Sequence, residues 1–442
     1  MNAFLLEETV SIPQVSSCQR ATAAFEALAR EARPRPWLTV RDREDVLVDA
    51  KAVDERARAD GQLPLAGALV AVPDVPLLVQ RLVRDGAVVF GTVDLGAVAG
   101  APPLDLVDAV VCPAVPDEYT GAVALWPTRG LVPALAGICV LARDLDVGQR
   151  TLAAMTGPDE SDAACREWPA DVRFSAGEHP RVVMPVTADL DGVPGEVRRV
   201  FAATVDTLRA AGAVVATVPL GPAVQRWAAN PAHMLSGYDA LLLPAAGTAP
   251  ALADILGTLD SAAMVGPYGT AVVTRAFDDQ VAIDLVGLLS SCQADTPYPA
   301  TGIELIVFGA HLRGQPLNSA LTDVAARFTG FVETAPCYRM VALPGTPLRA
   351  GVLRAGAGGG ALLAERWVVS PAGLGRFLAE LPAPLSLGSI ELAGGVNATG
   401  VLCDAVAAAE GTDVTSFGCW RAYLRYLSTR GPIVPGPRPA SG

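Results

Sequence analysis

The sequence predicts an α/β domain followed by a smaller α+β domain. Three observations carry this reading. In the first part of the chain, continuous apolar β-prone runs alternate with helical patterns, the signature of layered α/β architecture. A stretch rich in Pro and small polar residues, Leu285–Ile303, interrupts the pattern and marks a boundary. Beyond it, short strand-like segments dominate. At 442 residues the chain suits two or three domains of about 150 residues each, and it can bury a core without disulfides or a metal.

Taken in order, Ser16–Ala32 has apolar positions on one face and Ser at its start, and is expected to be a helix. Arg41–Ala59 is a second, highly charged helix. Leu65–Val72 reads as a buried strand, Leu77–Asp85 as a short helix and Ala87–Phe90 as a strand. Leu131–Met155 reads as a strand and then a helix, and Pro158–Phe174 as a charged linker. Arg181–Val186, the amphipathic Gly192–Ala211 and Val214–Val218 form a βαβ unit, followed by the buried strand Tyr238–Pro244. In the second domain, strands are expected in ELIVFGA, YRMVALPG, AERWVVS and SIEL. Helices are expected at Leu317–Ala326, Ala372–Leu381 and Val414–Leu427. The boundaries are 1–290 for the first domain, 291–303 for a linker, 304–427 for the second domain and 428–442 for a Pro/Gly-rich disordered tail.

Composition narrows the function classes. Apolar residues make up 51% and charged residues 18%, with a mean hydropathy of +0.37. Yet the longest apolar stretches, such as Leu63–Val83, are broken by Pro64, Pro73, Asp74, Pro76 and Gln80, so none offers the roughly 18 uninterrupted apolar residues of a membrane span. The start of the chain has no basic region and carries Glu7 and Glu8, unlike a secretion signal. A cytoplasmic location is expected. The net charge of −13 and a single lysine, Lys51, argue against nucleic acid or an anionic membrane as partner. The eight cysteines contain no C-x-x-C pair and read as reduced thiols, and neither a metal nor a cofactor is expected.

The motifs resemble those of allophanate hydrolase, an amidase-signature enzyme with an added C-terminal domain. Trp37 opens a segment like the one that begins the signature domain. Gly67–Asp74 (GALVAVPD) resembles the G-V-P-x-A-V-K-D motif, whose Lys belongs to a Ser–cis-Ser–Lys triad. Here Pro73 occupies that place. Val75–Leu82 and Asp85–Leu95 resemble the next helix and the A-G-A-x-x-x-G-K-T-N-L segment, but abut where the family has intervening residues. No Ser/Gly run resembling G-G-S-S-S-G lies between Gly96 and Leu125, and the likeness resumes at Ala124–Pro133 (ALWPTRGLVP). Tyr238–Pro244 and Gly266–Tyr268 resemble late amidase segments, the latter near the family's substrate pocket. The resemblance therefore implies a shortened α/β amidase-signature-like domain that lacks the activated nucleophile, base and oxyanion donors of amide hydrolysis.

The C-terminal part resembles the family more closely. Ile306–Asn318 (IVFGAHLRGQPLN), Phe328–Gly345, Ala364–Trp367 (AERW), Pro382–Gly388, Gly394–Gly400 and Asp413–Tyr423 match in register. The resemblance implies a gamma-glutamyl-cyclotransferase-like α+β fold and a role in removing CO2 from N-carboxycarbamate. It points to His311 and Glu365 as catalytic residues. His311 follows a β-run in F-G-A-H-L-R-G, and a histidine can protonate a departing nitrogen near neutral pH. Glu365 would act as acid or base if burial near Trp367 raised its pKa; the alternative is an exposed strand glutamate. Gly309 would let a ligand approach the backbone. Arg313 and Arg339 could bind a substrate carboxylate, and Asn318, Tyr338 and Asn397 could line the site. The other two histidines, His179 and His233, read as surface or structural. Gly356–Gly360 lacks the Lys-Ser/Thr of a phosphate loop and reads as a hairpin.

Two functions follow as expectations. In one, the C-terminal domain performs C–N cleavage, decarboxylation or acyl transfer on a small carboxylated or amide-bearing substrate. In the other, the chain is a non-catalytic scaffold or regulator of a partner enzyme. The resemblance implies a homodimer formed through the first domain.

Overall fold

A computed structural model describes residues 16–30, 38–60, 63–93, 104–112, 123–134, 137–245, 252–266, 268–290, 296–355 and 358–429. Trp37, most of the Gly96–Leu125 gap, Pro267, part of the Gly356–Gly360 run and nearly all of the expected tail lie outside the described residues. The chain divides into two compact units, one within residues 1–169 and 178–300, the other within 170–177 and 301–442.

Among the described residues, the first unit is built on eleven strands: β1 (Leu38–Val40), β2 (Leu69–Val72), β3 (Val88–Val93), β4 (Ala109–Cys112), β5 (Val123–Trp126), β6 (Cys139–Ala142), β7 (Arg181–Pro185), β8 (Val214–Val218), β9 (Ala240–Pro244), β10 (Ser261–Val265) and β11 (Thr270–Arg275). They form one mixed sheet in the order β1-β3-β2-β4-β6-β5-β10-β11-β9-β7-β8. The central strands are buried throughout, as expected when helices cover both faces. The helices Ser17–Arg30 and Arg43–Asp60 fall where the periodicity put them. Pro76 starts the helix Pro76–Arg84, where its missing N–H costs nothing. β7, the helix Gly195–Ala210 and β8 form the expected parallel βαβ unit. Leu285–Ser290 is not part of a boundary. It is the last stretch of the helix Asp279–Ser290, whose residues are almost all buried, and the break begins only after it.

The second unit has eight strands among the described residues. They are β12 (Ile303–Val307), β13 (Arg327–Glu333), β14 (Tyr338–Leu343), β15 (Arg349–Arg354), β16 (Leu363–Val369), β17 (Leu385–Glu391), β18 (Asn397–Cys403) and β19 (Thr412–Asp413). β13-β16-β12-β18-β17 make one sheet and β15-β14-β19 another. Thr334 bridges Leu392, the Ala335 N–H bonds to the Glu391 carbonyl at 2.9 Å, and the Ala393 N–H to the Glu333 carbonyl at 2.8 Å. The first and last strands of the larger sheet therefore meet at one end, and the sheet closes on itself.

Two expected helices are shorter than predicted. Leu317–Ala326 holds only the single turn Ser319–Thr322, because Ala325 adopts a left-handed backbone (φ 53°). Val414–Leu427 is split by Gly418, also left-handed (φ 62°), and a new helix runs from Trp420 to Thr429. Ser370 caps the helix Pro371–Glu380 by accepting from the Gly373 N–H.

Candidate functional site

β12 and β16 are antiparallel, with Val307 opposite Glu365 and Leu305 opposite Trp367; on the other side of β16, Phe331 lies opposite Glu365 and Phe328 opposite Trp367. Directly paired residues share a face of a sheet. Pairing thus sets Val307, Glu365 and Phe331 in one row and Leu305, Trp367 and Phe328 in the next. The chain leaves β12 through a short 3-10 turn, Gly309–His311, and continues to Arg313 beside that first row.

Glu365 is fully buried, which removes the exposed-glutamate alternative. One carboxylate oxygen accepts the Arg313 N–H at 2.8 Å and the Trp367 Nε1–H at 3.2 Å. The other accepts Arg421 Nη2–H at 2.7 Å and lies 3.9 Å from Arg313 Nε. Every partner is a donor, so the side chain is held as an acceptor on both oxygens. Arg421 Nη2 also donates to the Arg313 carbonyl at 2.8 Å, and the Arg313 guanidinium stacks 3.5 Å from the centre of the Phe328 ring. Arg421 escaped sequence reasoning, although its motif was legible. The available signal was a glutamate in an apolar strand, which demands a cationic partner.

His311 is buried, with its ring edge-on to Phe377 at 5.4 Å. Desolvation, and then the nearby Arg349 charge, push its pKa down to about 4. At neutral pH the imidazole is therefore neutral, and an imidazolium proton donor is not what the fold provides. It offers one N–H and one basic nitrogen. Asn318 is structural in this loop: its Nδ2 donates to the His311 carbonyl at 3.0 Å. Gly309 has φ +64°, and the space where a side chain would begin is filled by Ala350, whose backbone N would lie 2.7 Å from an added Cβ. The close approach that requires glycine is made by β15 of the protein itself.

The remaining expected residues lie elsewhere. Tyr338 is buried, and its hydroxyl accepts the Glu391 N–H at 2.7 Å. Asn397, paired across β17 and β18 with that same Glu391, accepts from Ser389 at 3.4 Å. β18 runs parallel to β12 with Leu305 opposite Thr399, which puts Asn397 at the end of β12 away from His311. Arg339 pairs with Asp413 at 2.9 Å. The structure therefore places Gly309, His311, Arg313 and Asn318 in one loop, with the Arg313 N–H on Glu365 and the His311 ring against Phe377, and leaves Tyr338, Arg339 and Asn397 with partners of their own.

In the first unit, Pro73 sits in the turn between β2 and the helix Pro76–Arg84, and Lys51 is exposed on a charged helix. The Pro-Thr-Arg-Gly segment after β5 has a structural partner instead. Asp279, fully buried, accepts the Thr128 N–H at 2.8 Å and its Oγ1–H at 2.5 Å, and Thr128 Oγ1 accepts the Phe277 N–H at 2.7 Å. Burial lifts the Asp279 carboxyl to about 6 despite these bonds. His179 and His233 are both exposed. No group of three or more His, Cys, Asp or Glu suited to a metal occurs among the described residues, and no described helix is long and apolar enough to cross a membrane.

The long mixed sheet with helices around it, followed by a partly closed β-rich unit, defines an α/β amidase-signature-like protein with an α+β C-terminal unit. The resemblance is specifically to allophanate hydrolase: residues 303–425 match the allophanate hydrolase C-terminal domain family. The urea amidolyase of Saccharomyces cerevisiae is 35% identical over 137 residues, which are 30% of this chain and 8% of that protein. That of Lachancea kluyveri is 33% identical over 144 residues, again 8% of its length. The sequence match thus spans a small fraction of these curated relatives. The allophanate hydrolase structure from Kluyveromyces lactis superposes with a TM-score of 0.71 at 19% identity, covering 93% of this chain and 99% of that one. Peptide amidase from Stenotrophomonas maltophilia gives 0.50 at 16% identity over 64% of this chain and 95% of its own. At these identities, the structural matches establish the fold.

Proposed function

We propose that the C-terminal unit acts on a small carboxylated or amide-bearing molecule by chemistry of the N-carboxycarbamate decarboxylation type, and that the first unit lacks the Ser–cis-Ser–Lys triad. The observation that carries the reading is that one loop, Gly309–Asn318, joins a buried, neutral His311 to Arg313, whose backbone N–H lies on Glu365. Loss of CO2 from an N-carboxylate breaks a C–N bond, leaves the electron pair on nitrogen and requires a proton there. A neutral imidazole can orient that proton or relay it from water. The Thr128–Asp279 network supports a structural role for the Pro-Thr-Arg-Gly segment in the first unit.

A second reading has its own support. A histidine only 3% exposed with an aromatic neighbour is also what a purely packing role requires, and the chain would then be a scaffold or regulator of a partner enzyme. The test is to incubate the purified protein with allophanate, and separately with N-carboxycarbamate generated in place by an active amidase, while following ammonia and CO2. The proposal expects no ammonia from allophanate alone and faster CO2 release in the coupled reaction. Ammonia from allophanate alone would contradict the loss of the triad, and an unchanged CO2 rate would favour the scaffold.

A further inference from the structure

The charges around Glu365 do not balance. Arg313 and Arg421 both lie within 4 Å of the same oxygen of a single carboxylate, so this spot carries one positive charge in excess. Their side chains are 45% and 36% exposed, whereas Glu365 is fully enclosed. Arg421 uses Nη2 on Glu365 and on the Arg313 carbonyl, and its Nε and Nη1 have no hydrogen bond among the described residues. The Arg313 guanidinium makes no hydrogen bond among the described residues. It is held by its stack on Phe328 and by Phe331 at 5.8 Å. Phe331 is itself 57% exposed, a large apolar ring left open beside the Arg313 cation. The unengaged guanidinium fork of Arg313 matches a carboxylate two bonds at a time, and Arg421 can add single bonds beside it.

We propose that Arg313 and Arg421 together form a clamp for the carboxylate of a small planar substrate that packs its face on Phe331, and that Glu365 is a positioning residue for the two arginines. This rests on the C-terminal unit being a ligand-binding site at all, and it adds the residues that select the ligand. It also changes the part played by Glu365. A fully buried carboxylate that already accepts three hydrogen bonds, from Arg421, Trp367 and the Arg313 N–H, is engaged with the protein and not with a substrate, so proton handling falls to His311.

The test uses the full-length protein, with oxamate as a planar amide-bearing carboxylate and its neutral ethyl ester as control, followed by calorimetry. Oxamate is expected to bind saturably and the ester at least tenfold more weakly, the loss of a charge-assisted hydrogen-bond pair. Arg313→Gln and Arg421→Gln should each weaken oxamate about tenfold. Arg313→Gln removes no side-chain hydrogen bond among the described residues but does remove the stack on Phe328, so its circular dichroism spectrum is compared with that of the native protein. Arg421→Lys keeps a cation against Glu365 and separates loss of the Nε and Nη1 donors from loss of folding, and should bind oxamate less well than the native protein. In the coupled reaction, Glu365→Gln should raise KM and leave the pH profile of kcat in place. Equal binding of acid and ester, no saturable oxamate binding, or oxamate binding indifferent to both arginine variants would overturn the clamp. Loss of a limb of the kcat profile in Glu365→Gln would overturn the positioning role. Oxamate binding that depends on the arginines in a protein without CO2 release would uphold the clamp and refute the proposed reaction.

Discussion

Titration of His311 follows directly from its burial. The imidazole has an ordinary pKa of 6.5 and is held near 4 in the folded chain. Between these values the unfolded chain binds a proton that the folded chain refuses. The contribution to stability is therefore complete above pH 6.5 and is lost as pH falls through 4. A difference of about 2.5 units corresponds to about 3 kcal/mol. With only three histidines in the sequence, proton NMR of the imidazole ring resonances is tractable, and the His311 signal is assigned by its disappearance in His311→Gln. It should stay at its neutral position down to pH 5. The fall in stability of the native protein from pH 6.5 to pH 4.5, relative to His311→Gln, should approach 2 to 3 kcal/mol by denaturant titration. A His311 midpoint near 6.5 would refute the burial, and with it the argument that the imidazole is neutral when it acts.

Three further outcomes are expected. Asp279 behaves in the opposite sense: its folded pKa of about 6 exceeds the ordinary 3.8, so its contribution is full below pH 3.8 and falls away as pH rises through 6, by about 3 kcal/mol. Asp279→Asn should flatten that part of the stability profile, and an unaltered profile would show that burial does not raise the Asp279 carboxyl. Gly309→Ala should lower stability by about 2 kcal/mol or more, measured by thermal unfolding, because its Cβ would press on Ala350 from a left-handed backbone. Substituting Asn318 by Ala, which frees the His311 carbonyl in a buried site, should cost about 1 kcal/mol and should leave oxamate binding nearly unchanged.

Much of the fold was legible in the sequence. The apolar runs at Leu69–Val72 and Ala240–Pro244 could only be buried strands, and the amphipathic Gly195–Ala210 could only lie against a sheet. What escaped were elements set by backbone conformation or distant partners. Nothing in Leu317–Ala326 announces that Ala325 turns left-handed. The apolar end of the helix Asp279–Ser290 resembled the approach to a linker because the proline-rich break follows it closely. The site was half legible. His311 and Glu365 stood out by motif, but the polarity of their surroundings did not. Whether a glutamate in a strand meets water or two arginines depends on Arg421, which is distant in sequence and is brought close where the chain before the last helix pairs with β16, through the Leu363–Cys419 bridge and the Leu363 N–H on the Gly418 carbonyl. Tyr338, Arg339 and Asn397 are ordinary polar residues for which sequence gives no direction, and each is occupied by a structural partner.

The most direct test of the account is CO2 release from N-carboxycarbamate, generated by a separate active amidase, with the native protein and with His311→Ala. The account predicts acceleration by the native protein and its loss, by about two orders of magnitude as for removal of a general acid–base group, in a His311→Ala protein with an unchanged circular dichroism spectrum. Equal acceleration by both proteins would contradict it.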